Sequence, residues 1–411
     1  MTDRIRLAYL VSHPIQYQAP LLRRIAQEPD IELTVLFGSD FSVREYRDEG
    51  FGVGVEWDIP LLEGYRHEFL PALRDNGTEG TFSPISNGIA RRLQRGNDGA
   101  PFDALWVHGY ATVNAMHGLL AAKSLGIPVL LRADIWLGDR RRSGPKLLAK
   151  QAFFGMLKEL VAGILPIGTL NEKYWRHYFG DEVPLFPMPY AVDNAYFQEK
   201  SEEAKATREE LQRELNLERD RRVILFASKL QTRKLCKDLI EAYRLFVERK
   251  ARDEAAMKTL PYLVIVGDGE ERAALEEQAR SYGLSDVRFC GFRNQSEMPR
   301  FFDLCSVFVL PSRHEPWGLI VNEVMNAQRP VIVSDDVGCQ PDLITDGVEG
   351  FVYPVGDVEA LSSALERMFA TPEVAPWMGQ RAFERISHWS FEEDIAALRR
   401  ALAHVTHRMV A

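Results

Sequence analysis

The sequence predicts an α/β protein built from two doubly wound domains that face each other across a cleft. Three observations carry this prediction. Short apolar runs alternate with amphipathic helical patterns along the whole chain, most of those runs are unbroken rather than alternating, and one highly charged stretch separates them into two series. Strands covered on both faces by helices read as continuous Val, Ile and Leu runs. Repeated β-α alternation calls for parallel sheets with right-handed crossovers. A chain of 411 residues is long enough for two or three domains, each with its own core.

Taken in order, the first series of predicted strands is Ile5–Val11, 32–37, 105–107, 129–131 and 163–167. The second is Val223–Ala227, Tyr262–Val266, Val287–Phe289, Val307–Leu310 and Val331–Ser334. Helical spacing falls between them at 20–27, 237–250, 270–282 and Val358–Met368. Residues 199–222 (EKSEEAKATREELQRELNLERDRR) are dominated by charge and read as a solvated helix at a domain boundary. The boundary is placed just after Pro187-Met-Pro189, which gives an N-terminal Rossmann-like domain over 1–195 and a C-terminal one over 196–390. A last helix over 391–409 is expected to return to the first domain. Open α/β sheets bind ligands at the carboxyl ends of their strands, so those ends should line the cleft.

Composition narrows the function. Lys plus Arg number 50 and Asp plus Glu 59, a formal net charge of −9, which argues against a general nucleic-acid binder and leaves room for a local basic groove. Charged residues make up 27% and no polar tract runs long, so the chain should fold throughout. Cys236, Cys290, Cys305 and Cys339 lie far apart without a C-x-x-C pair and read as reduced structural thiols of a cytoplasmic protein. The apolar run at 7–11 is too short for a signal-peptide core, and no stretch approaches the roughly 20 apolar residues of a membrane span. Residues 140–158 combine Arg140, Arg141, Arg142, Lys146, Lys150 and Lys158 with Leu147, Leu148, Phe153, Phe154 and Leu157. Such a helix either lies on an anionic membrane, making the protein peripheral to it, or buries its apolar face in its own domain.

Three stretches carry chemistry. In His314-Glu315-Pro-Trp-Gly318-Leu319-Ile320-Val-Asn-Glu323, a strand is followed by a helix whose first turn has no Ser, Thr, Asp or Asn cap. Its free N–H groups and dipole suit an anion, and Gly318 lets a phosphate come close. Glu315 and Glu323 would repel that anion and instead suit hydroxyls on either side of it, or are an ordinary loop and helix glutamate. Lys229-Leu-Gln-Thr-Arg-Lys234 places three cations at a strand end, fit for a diphosphate or simply a solvated basic turn. Val266-Gly267-Asp-Gly269 is a tight turn after a strand, without the third glycine of a dinucleotide fingerprint.

The order of these pieces, together with Phe289-Cys-Gly-Phe292, Pro330-Val-Ile-Val-Ser334, Asp346-Gly-Val-Glu-Gly350 and Pro354-Val-Gly-Asp357, closely resembles the family 4 glycosyltransferases from residue 223 to about 361. Those are retaining enzymes of the GT-B fold, and the Glu-x7-Glu spacing is their hallmark. The resemblance implies a hexosyltransferase that moves a sugar from a nucleotide-diphosphate donor to a sugar, glycan or lipid-linked acceptor in glycan, polysaccharide or glycolipid biosynthesis. The nucleotide sugar is a co-substrate and no further cofactor is implied. It assigns Glu323 to the ribose hydroxyls, and Lys229 and Lys234 to the diphosphate. Gly318, Leu319 and Ile320 give backbone to the same phosphates, and Glu315 goes to the donor sugar. The loop Gly291-Phe292-Arg293 frames the base, and the Gly267 turn is expected to bring backbone close to the nucleotide. Lys229 stands where arginine is common in the family.

The first half matches more loosely. Ser12-His13-Pro-Ile-Gln-Tyr17 takes the place of a loop that usually carries glycines, and Asp134 stands where the family usually has a histidine. Asp134 either accepts a sugar or acceptor hydroxyl or caps the next segment through an Asx turn. His13 and His108 are candidates for acceptor contact or proton transfer, or are hydrogen-bonded structural residues. With no Asp-x-Asp at a strand end, no metal is expected. Two other readings stay open: a non-catalytic nucleotide-sugar-binding component of a polysaccharide assembly, and a GT-B epimerase or phosphorylase.

Overall fold

A computed structural model describes residues 4–48, 50–139, 144–250 and 259–408. The chain divides into two compact units. The first combines the chain up to Tyr46, Ile59–Val192 and the chain from Phe391 onward; the second combines Arg47–Asp58 with Asp193–Ser390.

The sheet of the first unit contains β1 (Ile5–Val11), β2 (Ile31–Phe37), β3 (Arg66–Phe69), β4 (Ala104–His108), β5 (Val129–Arg132) and β6 (Gly163–Ile164), in the order β6-β5-β4-β1-β2-β3. Every neighbouring pair is parallel. The buried apolar runs 7–11 and 129–131 within β1 and β5 are as expected of a sheet covered on both faces. The expected run at 163–167 is a strand only over its first two residues. Edge strand β3, Arg-His-Glu-Phe, is only partly covered, so it lacks the apolar signature and escapes the sequence reading. Helix α1 (Ala19–Ile25) follows β1 and buries Leu21, Leu22 and Ile25. Helix α2 (Gly144–Lys158) turns Phe154 and Leu157 into the core and leaves Leu148 and Met156 exposed. Arg140, Arg141 and Arg142 lie outside the described residues. The C-terminal helix, Phe391–Thr406, buries Ile395, Leu398 and Leu402 in this unit. Its Arg399 pairs with Asp30 at 2.9 Å and with Glu28.

The second sheet contains β7 (Val223–Ala227), β8 (Tyr262–Val266), β9 (Val287–Phe289), β10 (Val307–Leu310), β11 (Val331–Ser334) and β12 (Gly350–Tyr353), ordered β9-β8-β7-β10-β11-β12 and again parallel. The order reverses direction at β7 and β10, the switch point where an open α/β sheet presents its ligand loops. Each fully buried Leu, Ile, Val or Phe on these strands contributes roughly 1.5–3 kcal/mol of burial.

Two details differ from expectation. Residues 199–222 lie at the unit boundary as expected but form two largely exposed helices rather than one. They run through the end of α3 (Asn194–Ala204), α4 (Arg208–Glu214) and the turns that lead into β7, and Ser201, Ala204 and Leu211 are buried. Their apolar positions are few and widely spaced, so the charged face dominates the sequence. The unit boundary falls at Asp193, in the region just after Pro187-Met-Pro189, and the Asp193 side chain caps α3 by accepting the Tyr196 N–H at 3.0 Å. Residues 47–58, expected in the N-terminal domain, group with the second unit. There Asn294 Nδ2 donates to the Glu56 carbonyl at 2.6 Å, and the rings of Phe51 and Phe292 meet edge to face at 4.8 Å. All four cysteines are unpaired thiols. Among the described residues no helix is long and apolar enough to cross a membrane.

Candidate functional site

In the second unit the loops leaving β7, β8, β10 and β11 meet at the carboxyl end of the sheet. After β7 the chain runs through Ser228 and Lys229 to a single turn, Thr232–Lys234. After β10 it runs through Ser312 and Glu315 to Gly318, then enters α6 (Leu319–Asn326; α5 is Cys236–Lys250). The two loops are tied together by Arg313 N–H donating to the Arg233 carbonyl at 2.7 Å. The β11 loop braces them, with Glu315 N–H donating to the Asp336 carbonyl at 3.1 Å.

This bracing brings Glu315 and Lys234 together. Lys234 Nζ donates to Glu315 Oε2, and Arg233 Nη1 lies 3.3 Å from the same oxygen. Glu315 is 7% exposed and Lys234 8%. Burial pushes the Glu315 carboxyl up, but the Lys234 and Arg233 charges more than offset this and hold it below the usual carboxylate range. Burial likewise pulls the Lys234 ammonium down, with Glu315 opposing. Lys229 does not join them. Its Nζ contacts both Asp48 oxygens, at 2.8 and 2.9 Å, and lies over the Phe51 ring at 4.8 Å. Three cations thus share two carboxylates, which leaves one positive charge in surplus.

Gly318 adopts φ +93°, and no side chain caps α6. A Cβ there would sit in left-handed backbone and 2.9 Å from Leu310 Cδ2, so glycine is required on both counts. The first N–H groups of α6, those of Leu319 and Ile320 among them, have no acceptor within the helix. Gly267 is also required within the fold itself. Its Cβ would fall 1.9 Å from the Ser228 carbonyl oxygen, so the close approach that it permits is to the β7 loop of the same unit. Phe292 packs on Phe51, while Arg293 is engaged by Glu297 at 3.1 Å and Glu214 at 3.0 Å.

Glu323, one turn into α6, has its carboxyl pushed up to about 8 by burial. The sign of its effect on stability follows directly. Between the ordinary carboxyl range and about pH 8 the folded protein keeps a proton that the unfolded chain has released, so stability falls as pH rises through that interval. Asp394 of the first unit is also pushed up to about 8 by burial and acts in the same sense. We therefore expect Glu323→Gln to gain on wild type by about 4 kcal/mol between pH 5 and 9, read as a widening gap in thermal midpoints. A gap that stays constant would show that Glu323 ionises normally.

In the first unit a separate polar cluster sits at the carboxyl ends of β1, β4 and β5. The Tyr9 hydroxyl donates to Gln18 Oε1, and Gln18 Nε2 lies 3.0 Å from the His108 ring. His108 Nε2 is 3.9 Å from Asp134, whose Oδ2 accepts the Tyr190 hydroxyl at 2.5 Å. The Arg132 guanidinium lies 5.3 Å from the centre of the Tyr190 ring. Burial lowers the His108 pKa against the pull of Asp134, so its ring is neutral near pH 7. Asp134 Oδ1 is buried without a hydrogen-bond partner among the described residues. His13 stands apart on Ser12 Oγ at 2.9 Å and against Phe41, and burial lowers its pKa also. Among the described residues no group of three or more His, Cys, Asp or Glu is placed to hold a metal ion.

Residues 207–385 match the family of glycosyl transferases, group 1. The matched stretch lies inside the second unit and contains Lys229, Lys234, Glu315 and Glu323. The chain is 33% identical over 184 residues to an alpha-D-kanosaminyltransferase of Streptomyces kanamyceticus, covering 44% of this chain and 45% of that one. It is 26% identical over 313 residues to a D-inositol 3-phosphate glycosyltransferase of Streptomyces griseus, covering 71% and 64%. Both matches span less than two thirds of the relative's own length. In structure, Anabaena HepE superposes with a TM-score of 0.68 at 16% identity over 97% of this chain and 100% of its own. The fold is GT-B, and the stretch 207–385 is similar to the group 1 glycosyl transferases.

Several residues of the glycosyltransferase stretch and its surroundings are not legible in sequence. Arg233 is visible there as one of three cations but not as a second partner of Glu315. Asp48 and Phe51 lie 181 and 241 residues from their partners Lys229 and Phe292, and no local pattern marks them. Tyr190, which directly follows Pro187-Met-Pro189, and Gln18, just after the Ser12–Tyr17 loop, are positioned only by the folded sheet.

Proposed function

We propose that the protein is a retaining glycosyltransferase, moving a sugar from a nucleotide-diphosphate donor to an acceptor hydroxyl in glycan, polysaccharide or glycolipid biosynthesis. The observation that carries this reading is the buried Lys234–Glu315 pair, flanked by Arg233 and set beside the uncapped start of α6 within the stretch matched by the family. Structures of Anabaena HepE with UDP and glucose, and with UDP-glucose, support a nucleotide sugar as donor.

On this reading the α6 N-terminus, Lys234 and Lys229 receive the diphosphate, and Glu323 takes the ribose hydroxyls. The phosphate must displace Asp48 from Lys229. Glu315, held ionised, accepts a hydroxyl of the donor sugar while keeping Lys234 in position. The bond from anomeric carbon to diphosphate oxygen breaks and its electron pair leaves with the diphosphate, which accepts the acceptor hydroxyl's proton as the new glycosidic bond forms on the same face. Preorganised charge of this kind contributes several kcal/mol to such steps. In the first unit, Asp134 Oδ1 is assigned to a sugar or acceptor hydroxyl, with His108 beside it and His13, on the Ser12–Tyr17 loop, as a second neutral hydrogen-bonding group.

A thermal-shift series with nucleoside diphosphates and their sugar conjugates tests the reading. One base should stabilise the full chain by several kcal/mol at saturating ligand, and its sugar conjugate should lose its sugar to an acceptor with release of the diphosphate. A flat response across all bases rejects the proposal.

A further inference from the structure

At the other end of the second sheet, just before β11, a cavity of about 380 Å³ opens between α3, the start of α4, the end of α6 and the helix Val374–Ile386, within the size range of small-molecule sites. We propose that it binds the phosphate monoester of a small polyol. This rests on none of the donor-site assignments, since those loops lie at the opposite ends of the strands.

The cavity's chemistry is set by one buried carboxylate. Asp303 is 2% exposed and orients two arginines that line the cavity. Arg208 donates to it through Nε at 2.8 Å and Nη2 at 2.5 Å, and Arg329 donates to its carbonyl through Nη2 at 2.6 Å. Arg329 Nε donates to the Phe302 carbonyl at 3.0 Å, so both arginines are fixed by their Nε and Nη2 groups, while Nη1 of each has no hydrogen-bond partner among the described residues. Planar guanidinium groups held in this way are suited to phosphate oxygens. Two arginines against one aspartate leave one surplus positive charge, and Lys205 at the rim pairs with exposed Glu202.

The second feature is Ser201, also in the lining. It is 6% exposed, and its Oγ is buried without a hydrogen-bond partner among the described residues. A buried hydroxyl in that state is costly unless something bonds to it. Gln198 spends its Nε2 on Asn326 at 2.8 Å, which leaves its carbonyl oxygen as an acceptor. An anion on the arginines with hydroxyls reaching Ser201 and Gln198 satisfies all four groups, which neither a bare anion nor a neutral sugar does.

Calorimetric titration of the full chain with glucose 6-phosphate, inorganic phosphate and glucose tests this. The ester should bind at one site per chain, inorganic phosphate about tenfold more weakly, and glucose not at all. Arg208→Gln and Ser201→Ala should each weaken the ester by about tenfold, with thermal midpoints confirming the fold. Should Arg208→Gln fail to fold because Asp303 loses its partner, Lys205→Ala, on an exposed residue, should still weaken binding severalfold. No ester binding up to about 10 mM, phosphate binding as tightly as the ester, or undiminished binding in the folded variants would each overturn the proposal.

Discussion

On the proposed function, Glu315→Gln should lower the transfer rate by about two to three orders of magnitude, the usual effect of removing one preorganised polar group from a reacting centre. The substitution keeps shape and removes charge. Glu315 is 7% exposed and is kept ionised by Lys234 and Arg233, so the wild-type group is a carboxylate near neutral pH. Glutamine accepts a weaker hydrogen bond from the donor sugar and no longer balances Lys234. Once freed, Lys234 should hold a ground-state diphosphate at least as tightly as before. The expected signature is therefore a collapse of kcat with unchanged or improved nucleoside diphosphate affinity. A purely architectural role gives the opposite pattern, with a lower thermal midpoint and a normal kcat in the folded fraction. Initial rates, product affinity and melting curves on the same preparation separate the two.

The parallel strands were legible because their burial on both faces is written into unbroken apolar runs, as in Tyr262–Val266, where all five residues are buried. The edge strand Arg66–Phe69 was not, because it has only partial cover and carries three polar residues out of four. The candidate site follows the same division. Lys234 and Glu315 stand at strand ends with recognisable neighbours, so their chemistry could be proposed from residue type and order. Their burial and mutual contact could not, since 81 residues separate them and only the β7–β10 pairing makes them neighbours. Asp48 is the limiting case. It neutralises Lys229 from a segment that groups with the second unit, although the sequence assigns that segment to the first.

The burial of this pair changes the outcome expected of Lys234→Ala. Read as a solvated basic turn, Lys234 would be removable without harm to the fold. In the structure its loss leaves Glu315 buried, with Arg233 at 3.3 Å and 45% exposed as the remaining charge partner. Removing one member of a buried ion pair costs about 3–5 kcal/mol, so we expect a clear drop in thermal midpoint together with a loss of transfer of about a thousandfold. The two effects are separable. Lys234→Met combined with Glu315→Gln removes both charges at nearly constant volume and should recover most of the stability. If Lys234 serves only to hold Glu315, the double variant transfers sugar as fast as Glu315→Gln alone, and diphosphate affinity is untouched. If Lys234 acts on the leaving diphosphate itself, the double variant is slower by a further tenfold or more and binds nucleoside diphosphate correspondingly more weakly. We expect the second result, because the Lys234 ammonium and the free N–H groups of α6 form the positive end of the site, and Glu315 alone cannot take up the charge that develops on the diphosphate.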